Sequence, residues 1–384
     1  MAIEKAQAEP LEKLRQRRSS KWTTYPPDVL PLWVAETDYP LAPAIASALH
    51  AAVDRNDTGY VGRTTDVADA FAGFTARHWG WQVNPRRTLT TTDVSVVIVE
   101  SLRALIEPGD GVIITPPVYP PFFDLIPEAG GKVVEVPLVD SGTRWSLDLE
   151  GIERAIAWGA KGVLLCNPHN PLGLVHSREQ LTALAEIVER YGAFVVSDEI
   201  HAPLVHGDAV FTPYLSVPDA AEHAIAAHSA SKAFNLAGLK CALFVTEGDR
   251  MTAVVRGLWG EVRSRTGHFG RLATAAGYAD GDDYLAGVVA AIEDNRLLLT
   301  TLLEEHLPLA KYRQPKASYL AWVDLGAYEE QLTDDPAKVI LSKARIALSA
   351  GGGFGAQGRG HVRINLACAP EVLTEAIQRV AALV

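Results

Sequence analysis

Ser229-Ala-Ser-Lys232-Ala-Phe-Asn-Leu-Ala-Gly-Leu-Lys240 places a lysine among small residues and hydroxyls directly after the apolar run Ala224-Ile-Ala-Ala. A lone lysine is most often a solvated surface charge. This setting instead suits a strand end opening into a tight turn, where Ser229 and Ser231 can donate to an anion and Lys240 adds positive charge. Serines also favour turns without any ligand. Two upstream segments belong with it, Asn167-Pro-His-Asn170-Pro-Leu-Gly173 and Ser197-Asp198-Glu199-Ile200-His201. Asp198 closes the run Gly192-Ala-Phe-Val-Val-Ser, the continuous apolar pattern of a buried parallel strand. Ligands of open α/β sheets gather at the carboxyl ends of such strands.

From about residue 85 to 250, strand-like runs alternate with longer helical patterns, which implies crossover units and a mostly parallel sheet. The expected strands are Gly111–Thr115, Lys132–Val136, Gly162–Cys166, Ala193–Ser197, Ala224–His228 and Cys241–Thr246, with a helix over Leu181–Tyr191. Beyond residue 285 the character changes. A long helical stretch, Tyr284–His306, leads to strand-like Ser318–Asp324 and His361–Asn365 and a closing helix over Glu371–Val384. The expected division is a large α/β domain over 46–284 and a smaller α+β domain built from 1–45 and 285–384. Gly353-Phe-Gly355-Ala-Gln-Gly358 matches a dinucleotide fingerprint letter for letter. It runs into a strand rather than opening a helix, so it reads as a flexible Gly loop beside an arginine.

The 384 residues exceed one usual hydrophobic core. A 48% hydrophobic content with 31 Gly and 23 Pro is that of a globular enzyme rather than a disordered or fibrous chain. A net charge of -11 argues against general nucleic-acid affinity. The one basic cluster, Lys13 to Lys21 with Arg15, Arg17 and Arg18, reads as an exposed N-terminal helix or arm. The first 30 residues hold no apolar signal core, and runs such as Gly162–Cys166 are too short to span a bilayer, so a cytoplasmic location is expected. Cys166, Cys241 and Cys368 lie in apolar stretches at no metal-like spacing and read as reduced core thiols, with no metal expected.

The ordered trio around Asn170, Asp198 and Lys232 resembles the signature of fold-type I enzymes dependent on pyridoxal 5'-phosphate (PLP), within the aminotransferase class I/II superfamily. The resemblance is greatest to the MalY/PatB-like carbon–sulfur lyases of the cystathionine β-lyase type. Three places carry that finer likeness: Trp33-Val34-Ala35, the histidine at 201 where aminotransferases of the fold have tyrosine, and Phe354-Gly355 followed by Val362-Arg363-Ile-Asn365. The implied fold is α/β, that of aspartate aminotransferase: a mostly parallel central sheet with helices on both faces, plus the smaller α+β domain. The resemblance implies Lys232 as Schiff-base lysine, Asp198 as partner of the pyridinium nitrogen and Asn170 as contact to the ring phenol oxygen. It implies Tyr119, in Thr115-Pro-Pro-Val-Tyr-Pro, as the residue stacking on the ring. Arg363 would clamp the substrate carboxylate, helped by the backbone near Ala35, a contact that suits a planar guanidinium. Tyr60 looks like the tyrosine that reaches the cofactor phosphate of a neighbouring subunit, which implies a homodimer with shared sites.

Two departures stand out. Asp93, in Thr91-Thr92-Asp93-Val94-Ser95, occupies a place where the family's phosphate-binding turn usually has glycine. A carboxylate there is unfavourable beside a phosphate unless it points away, which leaves Thr92 and Val94 as weak contacts at the start of a helix running to Leu105. His201 in place of tyrosine removes a phenol; it either substitutes for it or is a polar core residue. The implied activity is α,β-elimination of L-cystathionine or related S-substituted cysteines to pyruvate, ammonia and a thiol. An aminotransferase on the same scaffold is the first alternative, and a PLP-binding regulatory protein the second.

Overall fold

The computed structural model describes residues 3–62 and 64–384. Its centre is a seven-stranded sheet ordered Thr88–Thr91, Ala242–Val245, Ala224–His228, Phe194–Asp198, Gly162–Cys166, Gly111–Ile114 and Lys132–Glu135. The five strands from Ala224–His228 to Lys132–Glu135 pair in parallel. Ala242–Val245 runs antiparallel to both of its neighbours.

Side chains alternate across a strand, and here the alternation divides the apolar residues into two cores. Ile113, Val163, Leu165, Val195, Ala226 and Leu243 pack on one face. Val112, Ile114, Leu164, Val196, Ile225 and Phe244 pack on the other, against the helix Val94–Leu105. With both faces covered, the strands read as unbroken apolar runs, which is why the sequence exposes them. The observed strands fall within a residue or two of those expected. Thr88–Thr91 went unforeseen because a short, threonine-rich edge strand has no apolar run to announce it.

A second sheet of four strands is ordered Lys311–Tyr312, Leu320–Asp324, His361–Asn365 and Ser349–Ala350. The long helix spans Asp282–His306 and the closing helix Pro370–Ala381. The N-terminal segment reaches this part of the molecule: Leu30–Pro31 pairs in parallel with Ile346–Ala347. The glycines at 351–358 form two short helical turns that enter the strand His361–Asn365, as a loop does and a dinucleotide fingerprint does not.

The basic cluster near the N-terminus differs from an exposed arm at Lys21 and, in part, at Arg17, which donates to the Thr37 and Tyr39 carbonyls. It forms two short helices, Leu11–Leu14 and Ser20–Thr23, and Lys21 is buried against Asp38 rather than solvated. Among the described residues no helix is long and apolar enough to cross a membrane.

Gly173 ties the segment bearing Asn170 to the strand-like stretch near residue 316. Its φ is +58°, and a Cβ there would lie 2.3 Å from Cβ of Pro315 and 2.6 Å from the Ala317 carbonyl oxygen. Gly173→Ala is therefore expected to lower unfolding free energy by about 2–5 kcal/mol, from left-handed strain plus overpacking. A denaturant midpoint equal to that of the unaltered protein would contradict this.

Candidate active site

The sheet delivers three working segments to one edge. In register, Cys166 lies opposite Asp198 and Asp198 opposite Ala227, so the strands Gly162–Cys166, Phe194–Asp198 and Ala224–His228 end side by side. Asn170, Asp198 and Lys232 stand just at or beyond these ends and line one cavity of about 190 Å³. Ala35, Tyr119, His201 and Arg363 line it too, as do Thr92, Asp93, Val94, Ser229 and Ser231.

Burial sets the electrostatics of the two central groups. Asp198 is pushed up to about 7 by desolvation, against the lowering effect of the Ile200 backbone N–H, which donates to its Oδ1 at 3.1 Å. Lys232 is pulled down to about 8, again mainly by desolvation, with Arg363 adding to the fall. A buried lysine shifted in this way becomes available as a neutral amine near neutral pH. Its Nζ donates to the Ala35 carbonyl at 3.1 Å.

Arg363, on the strand His361–Asn365, is buried and held from three sides. It donates to Asn170 Oδ1 at 3.1 Å, to the Trp33 carbonyl at 3.1 Å and to Ser349 Oγ at 3.0 Å. Its guanidinium lies over the Phe354 ring at 5.1 Å. Desolvation lowers it to about 10, and it stays charged at neutral pH. A fixed, buried guanidinium on the cavity wall has the planar geometry that suits a carboxylate.

His201 is buried, and burial lowers its imidazole to about 3, so it is neutral. Its Nδ1 has no hydrogen-bond partner and its ring meets Tyr319 edge-on at 6.3 Å. A buried, unpaired ring nitrogen calls for a partner, and His201 lines the cavity. Tyr119 lines the cavity, and its phenol is raised by burial.

At the end that receives the helix Val94–Leu105, Asp93 does not cap the helix with its side chain. Its two carboxylate oxygens accept from Lys240 Nζ at 3.1 and 3.2 Å. The unfavourable carboxylate and the expected cation thus face one another, leaving the backbone amides at 92–95 open to an anion. Ser229 Oγ donates to the Cys241 carbonyl at 2.7 Å and accepts from Ser231 N at 3.1 Å, which is turn chemistry. Tyr60 lies outside this cavity and is fully exposed.

Three contributors escaped the sequence reading. Ser349 holds Arg363, and Tyr319 donates to the Ala35 carbonyl at 3.0 Å. Asn235, in the same turn as Lys232 and at φ +56°, accepts from Thr37 N at 3.1 Å. Only Asn235 had a local signal, since asparagine readily takes the left-handed conformation in turns. Ser349 and Tyr319 arrive from a sheet whose placement no local pattern reveals.

The profile of the family Aminotransferase class I and II matches residues 27–380. The chain belongs to that family. It is 34% identical to a cystathionine beta-lyase of Corynebacterium glutamicum, over 97% of this chain and 98% of that one. It is 32% identical to cystathionine beta-lyase PatB of Bacillus subtilis, over 92% of each. Among solved structures, cystalysin from Treponema denticola, containing pyridoxal 5'-phosphate, superposes with a TM-score of 0.89 at 25% identity, covering 100% of this chain and 99% of that one. The residues lining the cavity here fit that cofactor: an amine, a buried carboxyl, an imidazole and a helix N-terminus converge on it.

Proposed function

We propose that this protein is a PLP-dependent carbon–sulfur β-lyase acting on L-cystathionine or related S-substituted cysteines. The observation that carries the reading is the convergence of Lys232, Asp198, Asn170 and Arg363 on one cavity, in a chain whose relatives bear cystathionine beta-lyase names.

Lys232 Nζ would hold the cofactor aldehyde carbon, Asp198 would face the ring nitrogen, and Asn170 and His201 would face the phenol oxygen. Tyr119 would cover the ring, while the amides near Val94 and Thr92, with Ser229, Ser231 and Lys240, would meet the phosphate. Bound PLP supplies an electron sink for the carbon that loses its proton. Arg363 binds the substrate α-carboxylate and, with Asn170, orients the α-carbon. Lys232 Nζ would be released when the substrate amine takes its place on the cofactor, and its neutral amine would then take the α-proton as general base. The electron pair then expels the β-thiolate, breaking the C–S bond. Hydrolysis of the remaining three-carbon enamine with one water gives pyruvate and ammonia. With cystathionine the thiol released would be homocysteine, and the same proposal assigns the reaction to methionine biosynthesis within amino-acid metabolism.

The division into 46–284 and 1–45 with 285–384 belongs to the same proposal. The seven-stranded sheet falls within the first span and the four-stranded sheet within the second. So does a cytoplasmic homodimer in which the exposed Tyr60 meets the cofactor phosphate of the partner subunit.

The deciding experiment incubates PLP-loaded protein with L-cystathionine in the absence of any keto acid. Equal, catalytic release of pyruvate and free thiol is expected. Conversion of the cofactor to its amine form, with turnover only after keto acid is added, would make the protein an aminotransferase instead.

A further inference from the structure

The segment Trp33–Asp38 presents backbone carbonyls to the working groups, and its Glu36 carboxylate bears on Lys232 through its charge. The Trp33 carbonyl meets Arg363 at 3.1 Å, and the Ala35 carbonyl meets both Lys232 Nζ at 3.1 Å and the Tyr319 hydroxyl at 3.0 Å. One residue on, the Glu36 carbonyl accepts from Lys21 Nζ at 3.3 Å and from Asn365 Nδ2 at 2.6 Å. Two residues further, Asp38 Oδ1 accepts from the same Lys21 Nζ at 2.6 Å. The Lys21 side chain is 0% exposed and that of Asp38 3%.

A buried ion pair is a poor device for stability alone, because desolvation offsets most of the attraction and an apolar pair of similar volume often does as well. What an apolar pair cannot do is hold a carbonyl. Lys21 spans three residues of the strap with one ammonium, fixing the carboxylate of Asp38 and the Glu36–Thr37 peptide, next along the chain from the one that carries the Ala35 carbonyl. Arg17 reinforces it by donating to the carbonyls of Thr37 and Tyr39, each at 3.0 Å.

We propose that Lys21 and Asp38 form a positioning pair, holding the strap so that the Ala35 carbonyl meets Lys232 Nζ and the Trp33 carbonyl meets Arg363. The proposal rests on the reading of Lys232 as the catalytic amine. Neither residue touches the cavity, and both act through the backbone between them. The charged groups bearing on Lys232 itself are Arg363, Glu36, Asp198 and Asp93, so the pair reaches the lysine by geometry rather than by its own field.

The test is the double replacement Lys21→Met with Asp38→Leu, which removes both charges together. A folded protein with a melting temperature within a few degrees of the unaltered chain is expected, with kcat lowered about ten- to a hundredfold by misplacement of the lysine. A second readout uses cofactor-free protein: the rate at which it captures added PLP, followed against pH. Loss of the Ala35 hydrogen bond disfavours the ammonium form, so the pH midpoint of capture falls by about one unit. A folded double variant with kcat within twofold and an unmoved midpoint would overturn the proposal. If the double variant does not fold, Arg17→Met decides on the same two readouts: smaller changes in the same directions support it, and unchanged values overturn it. Absence of lyase turnover in the unaltered protein would count against the functional reading, while the capture midpoint would still report on the strap.

Discussion

Lys232→Ala is expected to leave a folded protein that turns over L-cystathionine more slowly by about 10⁴-fold or more, since it removes the proposed covalent anchor and general base together. Folding survives because the amine contributes little to it. Lys232 Nζ makes a hydrogen bond to the Ala35 carbonyl, and burial has already drawn the group down to about 8, so its removal relieves a desolvation cost. The visible absorption band of the bound cofactor should vanish with the activity. Lys232→Arg separates charge from chemistry: a guanidinium keeps the positive charge but is always protonated, so it neither attacks an aldehyde nor accepts a proton. The arginine variant is therefore expected to be as inactive as the alanine one. Activity within tenfold of the unaltered protein in Lys232→Ala, with the band retained, would remove Lys232 from the mechanism.

How far the site could be foreseen follows from where each residue sits along the chain. Asn170, Asp198 and Lys232 each lie at the end of a buried parallel strand, and such strands announce themselves as continuous apolar runs. This wall of the cavity was thus visible locally, and parallel order brought its parts together. The opposite wall is different. Ala35 works through its carbonyl, which any residue would supply, and Ser349 and Tyr319 owe their roles to the placement of the four-stranded sheet. Long-range placement leaves no periodic trace. Lys21 shows the same limit from the other side, since a lysine in a basic stretch reads as solvated and only its distant partner Asp38 makes it buried. Asp93 looked adverse beside a phosphate because its pairing with Lys240, 147 positions away, leaves no local trace, although Lys240 itself was expected at the site.

Asp198→Asn is expected to stabilise the cofactor-free protein while lowering kcat/KM by about 10³-fold, the scale of losing one well-placed electrostatic partner. The carboxyl is raised from 3.8 to about 7 by burial. A folded-state value above the unfolded one means that the folded chain binds the proton more tightly. Its contribution to stability is fully present below pH 3.8 and is lost as pH rises towards about 7, by up to about 4 kcal/mol. An asparagine is neutral throughout and keeps an oxygen for the Ile200 N–H, so the variant escapes that loss. Denaturation of the two cofactor-free proteins should give similar free energies near pH 4 and a gap in favour of the variant above pH 7. The carboxylate also bears on the Lys232 ammonium, so the variant loses that attraction and the gap is narrowed by it. With PLP bound the order is expected to reverse, because the carboxylate then has a cationic ring nitrogen to face and the amide does not. Equal stabilities at pH 8 without cofactor would show that Asp198 is solvated rather than buried. A gap of the expected sign with undiminished activity would show that the buried carboxyl serves something other than the cofactor ring. The stability lost at this one position is what the cofactor-free protein bears for keeping an acid where the chemistry needs one.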